Sequence, residues 1–107
     1  MEKINMRQYF DHESCAYTYL LFDSFNKKSV IIDPVLEQFD RDMETVKKLN
    51  LELIGILETH VHADHITGAF TIRKKTGTPI YYGSESGVQG ADFMLNDGDC
   101  IHVGQFE

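Results

Sequence analysis

The sequence predicts a single α/β domain, an α+β layer in which a mixed β-sheet carries helices on one face. Three observations support this fold class. Short β-favouring runs with short return distances fill the first third of the chain, which is typical of antiparallel strands. The apolar period then lengthens to that of an amphipathic helix, and strand-like and helical runs alternate afterwards. The predicted order over residues 1–107 is β-β-β-α-β-α-β-β.

The length and charge of the chain limit its class of function. Its 107 residues suit one domain. Lys and Arg number 10 and Asp and Glu 17, so the net charge of −7 disfavours nucleic acid or an anionic membrane as the main partner. No apolar run is long enough to span a bilayer, and the first residues lack the apolar core of a signal peptide. Two cysteines, Cys15 and Cys100, are too few for a disulfide scaffold, so we expect a cytoplasmic protein. We also expect both thiols to be buried and inert.

Three strands are predicted at the start of the chain. Residues 4–10 and 15–22 are rich in aromatic and β-favouring side chains, and residues 29–32 form a short apolar run. Residues 23–28 are typical of a turn, and Asp33, followed by Pro34, closes the third strand. The short connections predict antiparallel pairing in this part of the sheet.

A helix and a buried strand are predicted next. Leu36, Phe39, Met43 and Val46 recur at helical spacing, and Leu49 follows three residues later. Charged side chains fill the positions between them, so this helix should turn one face to water. The apolar run at 51–57 contains a single charge, which favours a strand buried on both faces.

The last third of the chain predicts one helix and two strands. A helix over residues 65–75 would be capped by Asp64 and ended by Gly77. Residues 79–82 predict another strand, and small polar residues fill a loop at 83–90. A turn at residues 97–98 would precede a final strand over 99–103.

The segment THVHADH at 59–65 carries the residues best suited to chemistry. It follows a buried strand and precedes a helix, the kind of junction where α/β proteins bind ligands. Extended backbone turns alternate side chains to one side, so His60 and His62 can face a single ion. With Asp64 and His65 they make four potential ligands in six positions. Imidazole and carboxylate together suit zinc, iron or manganese.

This motif and two further segments resemble a known family. The match is carried by MRQYFDHESCAYTYLL, by VIIDPV at 30–35 and by ETHVHADHITGA at 58–69. The chain resembles the N-terminal half of a protein of the metallo-β-lactamase αββα fold, and within that fold it is most similar to the persulfide dioxygenases. The resemblance implies one partial domain over residues 1–107.

The resemblance also implies an activity and a metal. Persulfide dioxygenases oxidise glutathione persulfide with O2 to sulfite and glutathione at a mononuclear Fe(II) held by two histidines and an aspartate. The first of those ligands matches His60. His62, Asp64 and His65 match positions that bind metal in two-metal relatives and would surround the iron in this branch. The matching position implies that Asp33 supports the histidine loop by hydrogen bonding.

Two other functions are compatible with the sequence. One is a zinc thioester hydrolase of the hydroxyacylglutathione hydrolase type, in which His62, Asp64 and His65 would bind metal directly. Those hydrolases usually carry a histidine where this chain has Val61. The other is a non-catalytic metal-binding or interaction module. Metal identity and dependence on O2 would separate the two enzymes.

The resemblance places the second histidine ligand and the aspartate ligand downstream, and no residue up to Glu107 matches them. The chain by itself is therefore expected to be inactive, whether it is a fragment, a natural truncation or part of a split assembly. In the family the two halves bury a sheet face against each other. We therefore expect self-association through that face when the second half is absent.

Overall fold

A computed structural model describes residues 4–59, 67–83, 91–96 and 98–104. In that part of the chain, six strands form one sheet with the order β1-β2-β3-β4-β5-β6. Two α-helices and one 3-10 helix (Leu36–Gln38) accompany the sheet. The bounds are β1 (Asn5–Phe10), β2 (Tyr17–Phe22), β3 (Lys28–Ile32), α1 (Phe39–Lys48), β4 (Glu52–Glu58), α2 (Ala69–Thr76), β5 (Ile80–Gly83) and β6 (Phe93–Leu95).

The sheet is mixed, as predicted. β1, β2 and β3 pair antiparallel, whereas β3, β4, β5 and β6 pair parallel. The parallel connections need crossovers, and α1 and α2 supply the first two of them. As a result, the carboxyl ends of β3, β4, β5 and β6 lie along the same edge of the sheet.

Both helices cover one face of the sheet. Leu20, Ile31, Ile56 and Ile80 are cross-strand neighbours and are almost fully buried in one apolar cluster. Ala69 and Ile72 of α2 belong to the same cluster, and residues of α1 pack against it, namely Phe39, Met43 and Val46. The prediction of helices on one face is therefore confirmed.

The opposite face of the sheet, here called the open face, has no helix over it among the described residues. Alternate strand residues point towards it, and most are half-buried or exposed. The Tyr81 ring stacks on Phe93, with 4.9 Å between ring centroids, and lies beside Gly55, where a Cβ would be 3.2 Å from it. The large apolar side chains of the open face are Met6, Phe10, Tyr17, Tyr19, Leu21, Ile32, Leu57, Tyr81, Phe93 and Leu95.

The second half of the chain differs from three sequence predictions. The helix predicted from residue 65 begins at Ala69, because Thr67 forms an isolated β-bridge with Val35. Gly68 is the N-cap of α2, and the predicted cap Asp64 lies outside the described residues, whereas Gly77 ends the helix in the left-handed conformation, with φ 77°. The last described strand is β6 (Phe93–Leu95), whereas residues 99–103 contain only a bridge at Val103. The loop predicted at 83–90 lies outside the described residues after Gly83.

The prediction of two buried thiols is wrong. Cys15 and Cys100 are both exposed. Cys15 lies in the turn between β1 and β2 with φ 61°, where its amide donates to the carbonyl of Asp11 at 2.8 Å. The strand pattern that suggested burial begins two residues later, at Tyr17.

Candidate metal centre

The carboxyl ends of β3 and β4 bring two acidic side chains together at one edge of the sheet. Asp33 directly follows β3 and is buried, and Glu58 is the last residue of β4 and is also buried. Thr59 follows Glu58 and immediately precedes the predicted ligand His60. Ligands of α/β proteins commonly bind at this edge, beyond the carboxyl ends of parallel strands.

Asp33 fastens the start of the histidine segment to the end of β3. Its Oδ1 accepts from the Thr59 amide at 2.8 Å, and its Oδ2 accepts from the Thr59 hydroxyl at 2.6 Å. Its own backbone is held as well, because its amide donates to Leu57 and its carbonyl accepts from the Thr18 hydroxyl, both at 2.8 Å. Asp33 has φ 54°, a left-handed conformation that Asp tolerates better than most residues.

Glu58 bonds to Thr67, the first described residue after the histidine segment. Its Oε1 accepts a hydrogen bond from the Thr67 hydroxyl. Burial raises the pKa of Glu58 to about 8, and a hydrogen bond with Asp33 and the charge of Asp33 add to the rise, while the bond from Thr67 opposes it. Burial also raises the pKa of Tyr82, the neighbour of Glu58 on β5, to about 12, with the charges of Glu58 and Asp33 adding to it.

The backbone of Thr67 and Gly68 lies against the segment that leaves β3. Thr67 forms a β-bridge with Val35, and the Gly68 amide donates to the Pro34 carbonyl at 2.9 Å. A Cβ on Gly68 would come within 3.2 Å of the Val35 carbonyl carbon and oxygen, so glycine permits this close approach. The residues on both sides of the histidine segment, Thr59 and Thr67, therefore contact residues 33–35.

The four predicted ligands His60, His62, Asp64 and His65 lie outside the described residues. Across residues 4–59, 67–83, 91–96 and 98–104, no group of three or more His, Cys, Asp and Glu side chains could hold a metal ion. His12 and His102, which the sequence suggests are surface residues, are exposed.

No sequence pattern singles out Glu58 or Thr67. The available signal for Glu58 was an acidic residue directly after the apolar run at 53–57. Its partner Thr67 is nine positions away, so sequence spacing alone did not connect the two.

The family assignment rests on a sequence profile. The profile of the Metallo-beta-lactamase superfamily matches residues 16–99, which is most of the chain. The chain belongs to this superfamily. The predicted fold class is confirmed, because solved structures of the same fold superimpose on the chain.

Several members of the superfamily are similar to this chain over nearly its whole length. It is 46% identical over 102 residues to "Persulfide dioxygenase ETHE1, mitochondrial" of Bos taurus, covering 94% of this chain and 40% of that protein. The crystal structure of ETHE1 from Myxococcus xanthus superimposes with a TM-score of 0.88 at 46% identity, covering 94% of this chain and 44% of that one. A hydroxyacylglutathione hydrolase of Crocosphaera subtropica is 28% identical over 88 residues, 79% of this chain and 34% of that protein.

The chain therefore spans about two fifths of the length of the persulfide dioxygenases that it matches, over their N-terminal half. The Bos taurus relative is named as a mitochondrial protein, so a cytoplasmic location for this chain stays a prediction. None of the described helices is both long and apolar enough to cross a bilayer.

Proposed function

We propose that this chain supplies the first metal-ligand loop of a persulfide dioxygenase. The reaction of the whole enzyme would be the oxidation of the outer sulfur of glutathione persulfide by O2, which releases sulfite and glutathione. Residues 1–107 would contribute one partial domain of that enzyme. The other ligands of the ion would come from segments of the enzyme that this chain does not match.

One comparison carries the proposal. The chain is 44–46% identical to mammalian persulfide dioxygenases over 94–96% of its length, but 28% identical to hydroxyacylglutathione hydrolases over 79–85%. Both groups have the same fold, so fold alone does not separate them. The higher identity and the wider coverage support the dioxygenase.

The donor set fits a divalent transition metal. Three imidazoles and one carboxylate within six positions suit iron or zinc, and the segment starts at the sheet edge where Asp33 and Thr59 meet. We propose His60 as a direct iron ligand and His62, Asp64 and His65 as residues around it that orient the ligand and tune the ion. Bound Fe(II) would supply the open positions at which persulfide sulfur and O2 meet.

The described residues would act on the loop rather than on the substrate. Asp33 would hold the residue before His60 through its two hydrogen bonds to Thr59. This fixes the direction in which the backbone enters the loop. A thiol or persulfide carried by glutathione is the partner that the proposal assigns.

A chimera tests the proposal directly. Residues 1–107 of this chain would replace the matching segment of the Myxococcus xanthus relative, and a control chimera would carry the segment of the Crocosphaera subtropica hydrolase. We expect the first chimera to retain iron and to consume O2 with glutathione persulfide, and the control to do neither. The variant His60→Ala of the first chimera should lose bound iron.

The competing functions give different results in the same assay. A chimera that retains zinc and hydrolyses a glutathione thioester without O2 would support the hydrolase. A correctly folded chimera that retains no metal would support a non-catalytic module. Either result would contradict the dioxygenase proposal.

A further inference from the structure

The histidine loop, residues 60–66, lies between two threonines that bond to buried carboxylates. Thr59 at its start bonds through both its amide and its hydroxyl to Asp33. Thr67 at its end bonds through its hydroxyl to Glu58. The charge of Asp33 contributes to the raised pKa of Glu58, so the two carboxyls lie close together. The residues at both ends of the loop are therefore held by neighbouring carboxyls.

The Thr67 hydroxyl links three parts of the fold. It donates to Glu58 at the end of β4, and it accepts from the Ala69 amide at 3.1 Å, at the start of α2. The β-bridge from Thr67 to Val35 adds a contact with the segment after β3. The side chain of Glu58 thus reaches the point where the loop joins the helix.

Stability does not explain an acidic residue at this position. Glu58 is only 4% exposed, and a second carboxyl, that of Asp33, lies next to it. A buried carboxyl must give up hydration, and an apolar side chain of the same volume is often neutral or stabilising in such a place. A methionine would fill the site without a hydrogen bond to Thr67. The carboxyl of Glu58 is therefore suited to holding Thr67.

We propose that Glu58 and Thr67 are a positioning pair that fixes the return end of the histidine loop, as Asp33 and Thr59 fix its start. The proposal rests on the proposed function only in assigning metal ligands to that loop. Hydrogen bonds at both ends of the loop would orient its histidines for an ion better than hydrogen bonds at one end alone.

Amide hydrogen exchange of the metal-free chain tests the pair without any metal. We expect the peptide covering residues 60–67 to exchange about tenfold faster in Glu58→Met and in Thr67→Val than in the wild type, since each variant removes the hydrogen bond. Glu58→Gln and Thr67→Ser retain an acceptor and a hydroxyl, so they should exchange at the wild-type rate. The peptide covering residues 39–48 of α1 serves as the internal control.

Cobalt affinity gives a second readout. Titration with Co(II) of the chimera that carries residues 1–107, followed by its absorption spectrum, should show a dissociation constant about 10–100-fold higher for Glu58→Met than for Glu58→Gln. The melting temperature of metal-free Glu58→Met should not fall. A purely structural role for Glu58 would lower the melting temperature and leave the ratio of affinities near one.

The possible failures can be told apart. Equal exchange of residues 60–67 in all four variants and the wild type would overturn the positioning pair, even if metal binding is intact. Faster exchange in Glu58→Met together with no cobalt binding by the unsubstituted chimera would support the pair and contradict the proposed metal function. If Glu58→Met does not fold, Glu58→Leu compared with Glu58→Gln decides the matter, because Thr67→Val also removes the bond from the Ala69 amide.

Discussion

The two ends of the sheet use their acidic residues in different ways. At the carboxyl ends of β3 and β4, Asp33 bonds to a residue 26 positions away and Glu58 to one nine positions away. At the opposite end, the buried carboxylate of Asp23 accepts from the amides of Phe25 and Asn26, two and three positions along the chain. The exposed pair Lys28 and Glu52 lies at that end too, at 2.8 Å.

This difference shows where the fold tolerates the unfavourable burial of neighbouring carboxyl groups. Asp23 closes a turn, and the bonds that it accepts from the amides of Phe25 and Asn26 are typical of an Asp in such a turn. Asp33 and Glu58 instead place two carboxyls beside each other in a buried position, which raises the pKa of Glu58. Arrangements of this kind cluster at functional sites. The end with Asp33 and Glu58 is here called the site end.

The largest expected effect separates the two ends by metal affinity. Asp33→Ala removes both hydrogen bonds to Thr59, so the dissociation constant of the chimera for Co(II) should rise about 10–100-fold. The matched control is Asp92→Ala at the amino end of β5, which removes a 2.8 Å hydrogen bond from the Ile80 amide. Asp92→Ala should lower stability and leave metal affinity unchanged. Equal loss of affinity in both variants would mean that the site end is not special.

A second prediction concerns the pH dependence of stability near the site end. Burial raises the pKa of Asp42 from 3.8 to about 6, although the guanidinium of Arg41, 3.1 Å away, opposes the rise. The folded state therefore holds a proton that the unfolded chain releases between pH 3.8 and about 6, and stability falls as pH rises through that window.

Replacing the carboxyl of Asp42 should remove this loss. Above pH 6, Asp42→Asn should be more stable than the wild type by about 1–3 kcal/mol, and the advantage should disappear below the ordinary pKa of an Asp, about 3.9. Urea unfolding at a series of pH values measures both chains. A difference in the free energy of unfolding that does not change with pH would contradict the assignment.

A third prediction concerns the open face, which joins the two ends. Apolar side chains fill most of the described strand positions that point to it, and Met6 and Phe93 are 60% and 51% exposed. We expect the chain to self-associate through this face, so its mass by light scattering should rise with concentration. Met6→Lys and Phe93→Lys should reduce the association.

Phe25→Lys is the control for the open face. Phe25 is 74% exposed but lies in the turn between β2 and β3. Its substitution should leave the association unchanged. A monodisperse wild-type monomer at high concentration would rule out self-association through the open face.

The smallest effect is expected at the end opposite the site end. Lys28 and Glu52 form an ion pair whose side chains are 38% and 64% exposed. Exposed pairs of this type contribute little, so Lys28→Ala should change the free energy of unfolding by less than about 1 kcal/mol. Urea unfolding at low and high salt measures the change. A loss above about 2 kcal/mol, far outside the usual range for exposed pairs, would show that this end is not merely a solvated turn.

Much of the fold could be predicted from the sequence because its signals are local. The strand runs of β1 to β5 and the helical period of α1 agree with the structure to within two or three residues. Gly77 ends α2 as its position suggests, since glycine adopts the left-handed conformation readily. The prediction failed at the start of α2, where the bridge between Thr67 and Val35 competes with a helical turn.

The site was less predictable, because its contacts are long-range. The family resemblance implied a supporting role for Asp33, and the structure shows Asp33 bonded to Thr59. No local pattern indicated that Glu58 would bond to Thr67, or that the two carboxyls would meet. Such contacts depend on the parallel pairing of β3 and β4, which only the assembled sheet provides.

Iron stoichiometry of the chimera tests the central claim, that the histidine loop of this chain contributes a ligand to a metal ion. The chimera, in which residues 1–107 of this chain replace the matching segment of the Myxococcus xanthus relative, and its His60→Ala variant would be dialysed anaerobically to equilibrium against Fe(II), and iron would be counted per chain. We expect about one iron per chimera at saturation, with that binding lost in His60→Ala. No iron in the folded chimera, or equal iron in the chimera and its variant, would contradict the claim.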